Sequence, residues 1–280
     1  MKKLFLGSVA LVALGLGAPA AFAAERPVPA PAYAPPPPVP VYTWTGCYAG
    51  ANAGTSTGRS TQTTLGNSIV TGGALGTPAP RLLDQGGTSI AGDLNLSGFI
   101  GGFQGGCNYQ WGVWVFGFEG DGSATNKEGQ NFETGLVPFA GVGRANWISQ
   151  TQERWLVTAR GKLGLSGWGW FGDKSMAYVT GGAAWAKIDT SEFLVGNQTG
   201  TGHQESNTRT GWTVGAGYEY ALGYGWSIKG EYLYVKFDDY TTFTTPPFGG
   251  AGGNIAPRTN KLNDNIFRAG MNYKIGGWGY

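Results

Sequence analysis

Nine charged side chains sit at alternating positions within otherwise apolar stretches. They are Glu119, Asp121, Glu219 and Glu231 against Arg160, Lys162, Lys229, Arg268 and Lys274. Both signs occur in near balance, which suits a packed network of ion pairs better than an acid–base catalyst. Other candidate chemistry lacks parts. His203 is the only histidine, so neither a zinc set nor a Ser-His-Asp arrangement can be assembled around it. Gly167-Trp168-Gly169-Trp170-Phe171-Gly172 has the spacing of a dinucleotide loop, but it falls in a predicted turn and opens no helix. Asp238-Asp239 suits a cation site or a barrel-rim protease less well than the point where a strand leaves a membrane. The expectation is a protein that is not an enzyme and holds no metal or cofactor.

The elements that position these charges have a period of two. Eight stretches of about ten residues recur: Trp44–Gly54, Phe99–Tyr109, Trp114–Gly122, Trp155–Leu165, Met176–Ile188, Arg209–Tyr220, Trp226–Phe237 and Asn265–Ile275. None contains proline, as ladder hydrogen bonding requires. Trp155, Val157, Ala159, Gly161, Leu163 and Leu165 alternate with Thr158, Arg160 and Lys162. Trp226, Ile228, Gly230, Tyr232 and Tyr234 likewise alternate with Ser227, Lys229, Glu231 and Leu233. One face thus tolerates hydrocarbon, with Trp and Tyr near its ends as in an interfacial girdle, and the other carries charge. Met176–Ile188 does not divide this way. Short connections (110–113, 166–175, 221–225) alternate with long ones (55–98, 123–154, 189–208, 238–264). The reading is all-β: an eight-stranded antiparallel up-and-down transmembrane β-barrel with four long extracellular loops and short periplasmic turns. Inside so narrow a barrel the charges must pair, which leaves at most a thin water path.

Composition agrees. Glycine numbers 51 of 280 and aromatics reach 14%, with only 13% charged residues, which excludes disorder and disfavours helices. Residues 1–23 read as a signal peptide: Lys2 and Lys3, an apolar run, then Ala21-Phe22-Ala23. Its removal turns the formal +2 into 17 basic against 17 acidic residues, so no basic surface suggests nucleic acid. Residues 24–42 form a proline-rich periplasmic arm, and 43–280 the barrel.

These features resemble the outer-membrane immunogenic protein family of porin-like barrels, related to opacity-protein and OmpA-type barrels. The resemblance is carried by Trp44-Thr45-Gly46-Cys47-Tyr48-Ala49-Gly50, Gly101-Gly102-Phe103-Gln104-Gly105-Gly106-Cys107, Tyr178-Val179-Thr180-Gly181-Gly182, Glu231-Tyr232-Leu233-Tyr234 and Arg268-Ala269-Gly270-Met271-Asn272-Tyr273. It implies a Gram-negative outer-membrane surface antigen without catalytic residues. Its surroundings would be outer-membrane lipids and lipopolysaccharide, with the barrel-assembly machinery during biogenesis and a monomeric state. Some relatives are linked to haem. A structural, surface-interaction role leads. A narrow diffusion porin, a surface ligand receptor such as one for haem, and a soluble lipocalin-like binder are the alternatives. Two departures from the family stand out. Ile275 is followed by five more residues, leaving Tyr280 as the terminal aromatic read during assembly. Cys47 and Cys107 replace the usual aromatic or aliphatic residues. In an oxidising compartment they either form a cross-strand disulfide or remain two lipid-facing thiols.

Overall fold

The computed structural model describes residues 42–65, 68–70, 81–84, 93–134, 146–167, 172–195, 202–242, 253–254 and 258–275. The signal segment, all of the proline-rich arm before Tyr42, and Tyr280 lie outside these residues.

Among the described residues eight long strands form a closed ring. They are β1 (Gly46–Thr64), β2 (Asp93–Trp111), β3 (Trp114–Thr125), β4 (Asn146–Ser166), β5 (Ser175–Val195), β6 (Gly202–Gly223), β7 (Trp226–Phe237) and β8 (Arg258–Ile275). Each pairs antiparallel with its sequence neighbours, and β1 closes the ring against β8 from Cys47↔Ile275 to Thr64↔Arg258. Closure removes the unpaired sheet edges that hydrocarbon cannot satisfy. Two of the periplasmic connections are tight. Gly112 turns at φ 61°, and Gly223-Tyr224-Gly225 turns with all three residues at positive φ, Tyr224 fully exposed at its tip.

The strands run well past the ten-residue stretches marked by hydropathy. Residues 55–64, 93–98, 146–154, 189–195, 202–208 and 258–264, expected in long loops, are strand. His203, too, belongs to β6 rather than to a loop, opposite Glu192. The reason is local: Ser56, Gly58, Ser60 and Gln62 continue β1 with small or polar inward side chains, which hydropathy does not distinguish from loop. β3 behaves differently. It stops at Thr125, and a seven-residue segment, Glu128–Thr134, resumes the pairing with β4. Between them Asn126 accepts a hydrogen bond from the Phe99 amide (2.7 Å) and Lys127 turns inward. β4 is irregular at the same height, with a register shift between Glu153 and Trp155.

Side-chain polarity inverts along the barrel. Toward the periplasm the outer wall is apolar, with Phe103, Phe118, Val179, Phe267 and Met271 exposed to the surroundings while charges face inward. Phe99, Trp155, Trp185, Trp212 and Tyr234 mark the exofacial end of this belt. Beyond it the interior is a hydrophobic core of Leu94, Leu96, Ile100, Leu156, Ala184, Ala186, Ile188, Leu233, Val235, Phe237, Leu262 and Ile266, and the outer wall turns polar. The exofacial half is therefore built like a water-soluble barrel. β5 resisted assignment from sequence because its inward face (Met176, Tyr178, Ala184, Ala186, Ile188) is as apolar as its outward one.

Candidate functional site

The candidate site is the lumen. Inward positions of β3, β4, β6, β7 and β8 bring Glu119, Asp121, Arg160, Lys162, Glu219, Lys229, Glu231 and Arg268 to one level, each 5% exposed or less. Arg160 spans three carboxylates: Nη2 donates to Glu119 Oε1 (2.5 Å) and Asp121 Oδ2 (3.0 Å), and Nη1 to Glu231 Oε1 (2.9 Å). Arg268 grips Asp121 in a fork, Nη1 to Oδ1 at 2.7 Å and Nη2 to Oδ2 at 3.2 Å, and its Nε donates to Glu231 at 2.8 Å. Such paired, charge-assisted geometry is the strong form of the interaction. Lys229 holds both oxygens of Glu119, at 2.7 and 2.8 Å. Lys162 lies 3.3 Å from Glu119 and 3.5 Å from Glu219, with its ammonium 4.3 Å from the centre of the Tyr178 ring.

Uncharged groups complete the network. Tyr48 donates to Glu119 (2.6 Å), Tyr178 to Glu231 (3.1 Å), and Thr158 to Asp121. An amide relay runs from Asn52 through Gln104 and Asn272 to Glu219. Glycine makes the room. A Cβ on Gly106 would stand 2.8 Å from the Tyr48 hydroxyl, and one on Gly217 would collide with the Tyr178 ring.

Lys274 is not part of this level. Its ammonium donates to the Thr43 carbonyl at 2.9 Å and lies near the Tyr42 ring, at the periplasmic mouth. Alternation fixes the face of Lys274 but not its height, and one residue before the strand end leaves it below the ion layer. Without it, four carboxylates meet four cations, so the layer is formally neutral. The mouth itself is stopped by Trp44, 4% exposed against Val115, Met176, Tyr178 and Ala221, with its amide held by Gln110 (2.8 Å).

Sequence reasoning missed a second cluster. Lys127, inside the exofacial core, lies 2.6 Å from both Glu153 and Asp264, and all three are buried. Two carboxylates there face one ammonium. Burial, aided by the charge of Asp264 and opposed by Lys127, pushes the Glu153 carboxyl up to about 8. Only the irregular break after Thr125 lets Lys127 enter the lumen, and no periodicity signals such a break.

Cys47 and Cys107 face each other across β1 and β2, Cα atoms 3.9 Å apart, and are joined as a disulfide on the outer wall. Asp238, just past the exofacial end of β7, accepts a hydrogen bond from Thr210 (2.9 Å). Among the described residues no cluster of three or more His, Cys, Asp or Glu side chains is placed to hold a metal ion.

A closed antiparallel ring with a lipid-compatible belt outside and paired charges within defines an outer-membrane β-barrel protein. The chain belongs to the outer membrane protein beta-barrel domain family, whose model matches residues 8–274. It is 30% identical to the 31 kDa outer-membrane immunogenic protein of Brucella melitensis, covering 98% of this chain and 100% of that protein. Its counterpart in Brucella suis matches equally. Among solved structures, outer membrane protein OprG of Pseudomonas aeruginosa aligns at 14% identity and a TM-score of 0.48, over 85% of this chain and 100% of that one. The Escherichia coli protease OmpT aligns at 10% and 0.47, over 83% and 98%.

Proposed function

We propose that this barrel is a closed, non-enzymatic structural element of the outer membrane that displays surface loops and does not serve as a diffusion channel. The observation that carries this reading is the ion layer. Arg160 and Arg268, with no side-chain exposure, bridge Glu119, Asp121 and Glu231 across the lumen. Moving ions through it would require separating buried pairs, at several kcal/mol each. Trp44 below and the apolar core above add two further barriers. Purified protein in planar bilayers is expected to give no unit conductance steps. Reproducible steps of uniform size would overturn the reading in favour of a narrow porin.

A further inference from the structure

Above the membrane belt the ring of strands divides. β3 ends at Thr125, and β7, opposite it in the ring, ends at Phe237. The chain resumes as Glu128–Thr134, paired with β4, and as Tyr240–Thr242, paired with β8. Two sheets result. One joins Glu128–Thr134 to the exofacial parts of β4, β5 and β6. The other joins Tyr240–Thr242 to those of β8, β1 and β2.

Two seams run between these sheets. At the first, among the described residues, one ladder pair crosses, Ser97↔Glu128, and the Asn126 amide donates to the Phe99 carbonyl at 3.3 Å. A Cβ on Gly129 would stand 2.9 Å from the Asn95 carbonyl oxygen, so this seam is shut by close packing. At the second, the ladder between β6 and β7 reaches Gly211↔Phe237. Beyond that pair the Asp238 amide donates to the Thr210 carbonyl at 2.9 Å, and the Arg209 guanidinium lies 3.6 Å from the centre of the Tyr240 ring.

One buried cluster straddles the two sheets. The Lys127 carbonyl accepts from the Glu153 amide (3.0 Å), which ties both residues to the first sheet. The Lys127 ammonium crosses to Asp264 in the second, so two carboxyl groups meet one cation from opposite sides. With one proton between the carboxyls the cluster is neutral; without it a charge of −1 is left inside an apolar core. The neighbours at this height supply no countercharge. Gly58 on β1, Leu96 on β2, Ile188 on β5 and Val235 on β7 lie in the same cross-strand rows. On β6, Glu205 and Arg209 pair with each other at 3.4 Å. Arg268 is four residues from Asp264 along β8, about 13 Å, and is bound to Asp121 and Glu231.

We infer that the exofacial half is a pair of sheets latched by a proton. With one proton shared by Glu153 and Asp264 the sheets are shut around Lys127, and loss of that proton parts them along the seams beside β3 and β7. The parting admits water to the stranded charge and leaves each sheet's own ladders intact. The ion layer lies below it and stays closed.

The test is hydrogen–deuterium exchange of the full mature protein in nanodiscs at pH 6.5 and 9.5, with exchange times scaled for the base-catalysed intrinsic rate. Peptides containing Asn126 and Asp238, whose amides cross the seams, read the parting. The Glu153 carboxyl is held up to about 8 in the shut form against 4.5 when hydrated. Seam opening should therefore grow about thirtyfold between these pH values, most of it below about pH 8. Peptides from the middle of each sheet, 57–64 and 187–195, should change less than about threefold. E153Q and D264N each leave one carboxylate for one ammonium and should flatten the rise to less than about threefold. E205Q should open as the wild type does. A pH-independent wild-type seam, an undiminished rise in E153Q or D264N, or a rise flattened equally by E205Q would overturn the latch. Equal loss of protection in 57–64 and 187–195 would overturn the parting of sheets in favour of general loosening of the core. If one amide variant does not fold, the other decides. None of these outcomes depends on whether the lumen conducts.

Discussion

Replacing Arg268 by Met removes one of four cations from a neutral layer. Asp121 then loses both arms of its fork, at 2.7 and 3.2 Å, and Glu231 loses a 2.8 Å partner. The layer is left with a net charge of −1 where burial forbids hydration. Removing one member of a buried pair costs about 3–5 kcal/mol, so R268M should be destabilised by that amount. D121N, which strands the guanidinium instead, should lose a similar amount. The double variant D121N/R268M restores neutrality at three against three. Arg160 still serves Glu119 and Glu231 in it, so it should be more stable than either single variant. The assay is urea unfolding of the refolded protein in lipid vesicles, read by the gel mobility of the folded band and analysed as a double-mutant cycle. An R268M loss below about 1 kcal/mol would refute the account of the layer as a coupled, desolvated unit. So would a double-variant loss equal to the sum of the singles.

Glu153 and Gly217 give two further expectations. The Glu153 carboxyl, held up to about 8 by burial, binds a proton in the fold that the unfolded chain, at its ordinary 4.5, releases. Its contribution is therefore fully present below about pH 4.5 and is lost as pH rises to about 8. The urea midpoint of the wild type should fall over that window while E153Q stays flatter, and parallel profiles would contradict the assignment. G217A drives a methyl into the Tyr178 ring and should lose about 1–3 kcal/mol. G120A, on the outer wall with 3.7 Å to the nearest atom, should change stability by less than about 0.5 kcal/mol on the same assay.

A strand offers only two faces, so alternation alone separates Arg160 and Lys162 from Val157 and Leu163. Barrel and membrane belt were legible for that reason. Height along the axis has no such code, because it depends on register and tilt. Lys274 shares the inward face of Arg268, yet it meets Thr43 and not the ion layer. Ser56, Ser60 and Leu94 carry strands beyond the membrane by pairing, not by hydropathy, so the exofacial core escaped a reading based on apolar runs. Lys127 depends on a break in β3 that coincides with a bulge in β4, two irregularities without a sequence period. Partner choice within the layer, such as Arg268 with Asp121 on the far wall, needed the closed ring.

The Cys47–Cys107 bond spans 60 positions and encloses the whole stretch between the first two barrel strands. A peptide bond cut anywhere inside that span leaves both products covalently attached. Cleavage between 65 and 93 would yield a nicked chain that still travels as one molecule until it is reduced. The portion of the chain before Cys47 would stay joined to the barrel through β2 as well as through β1.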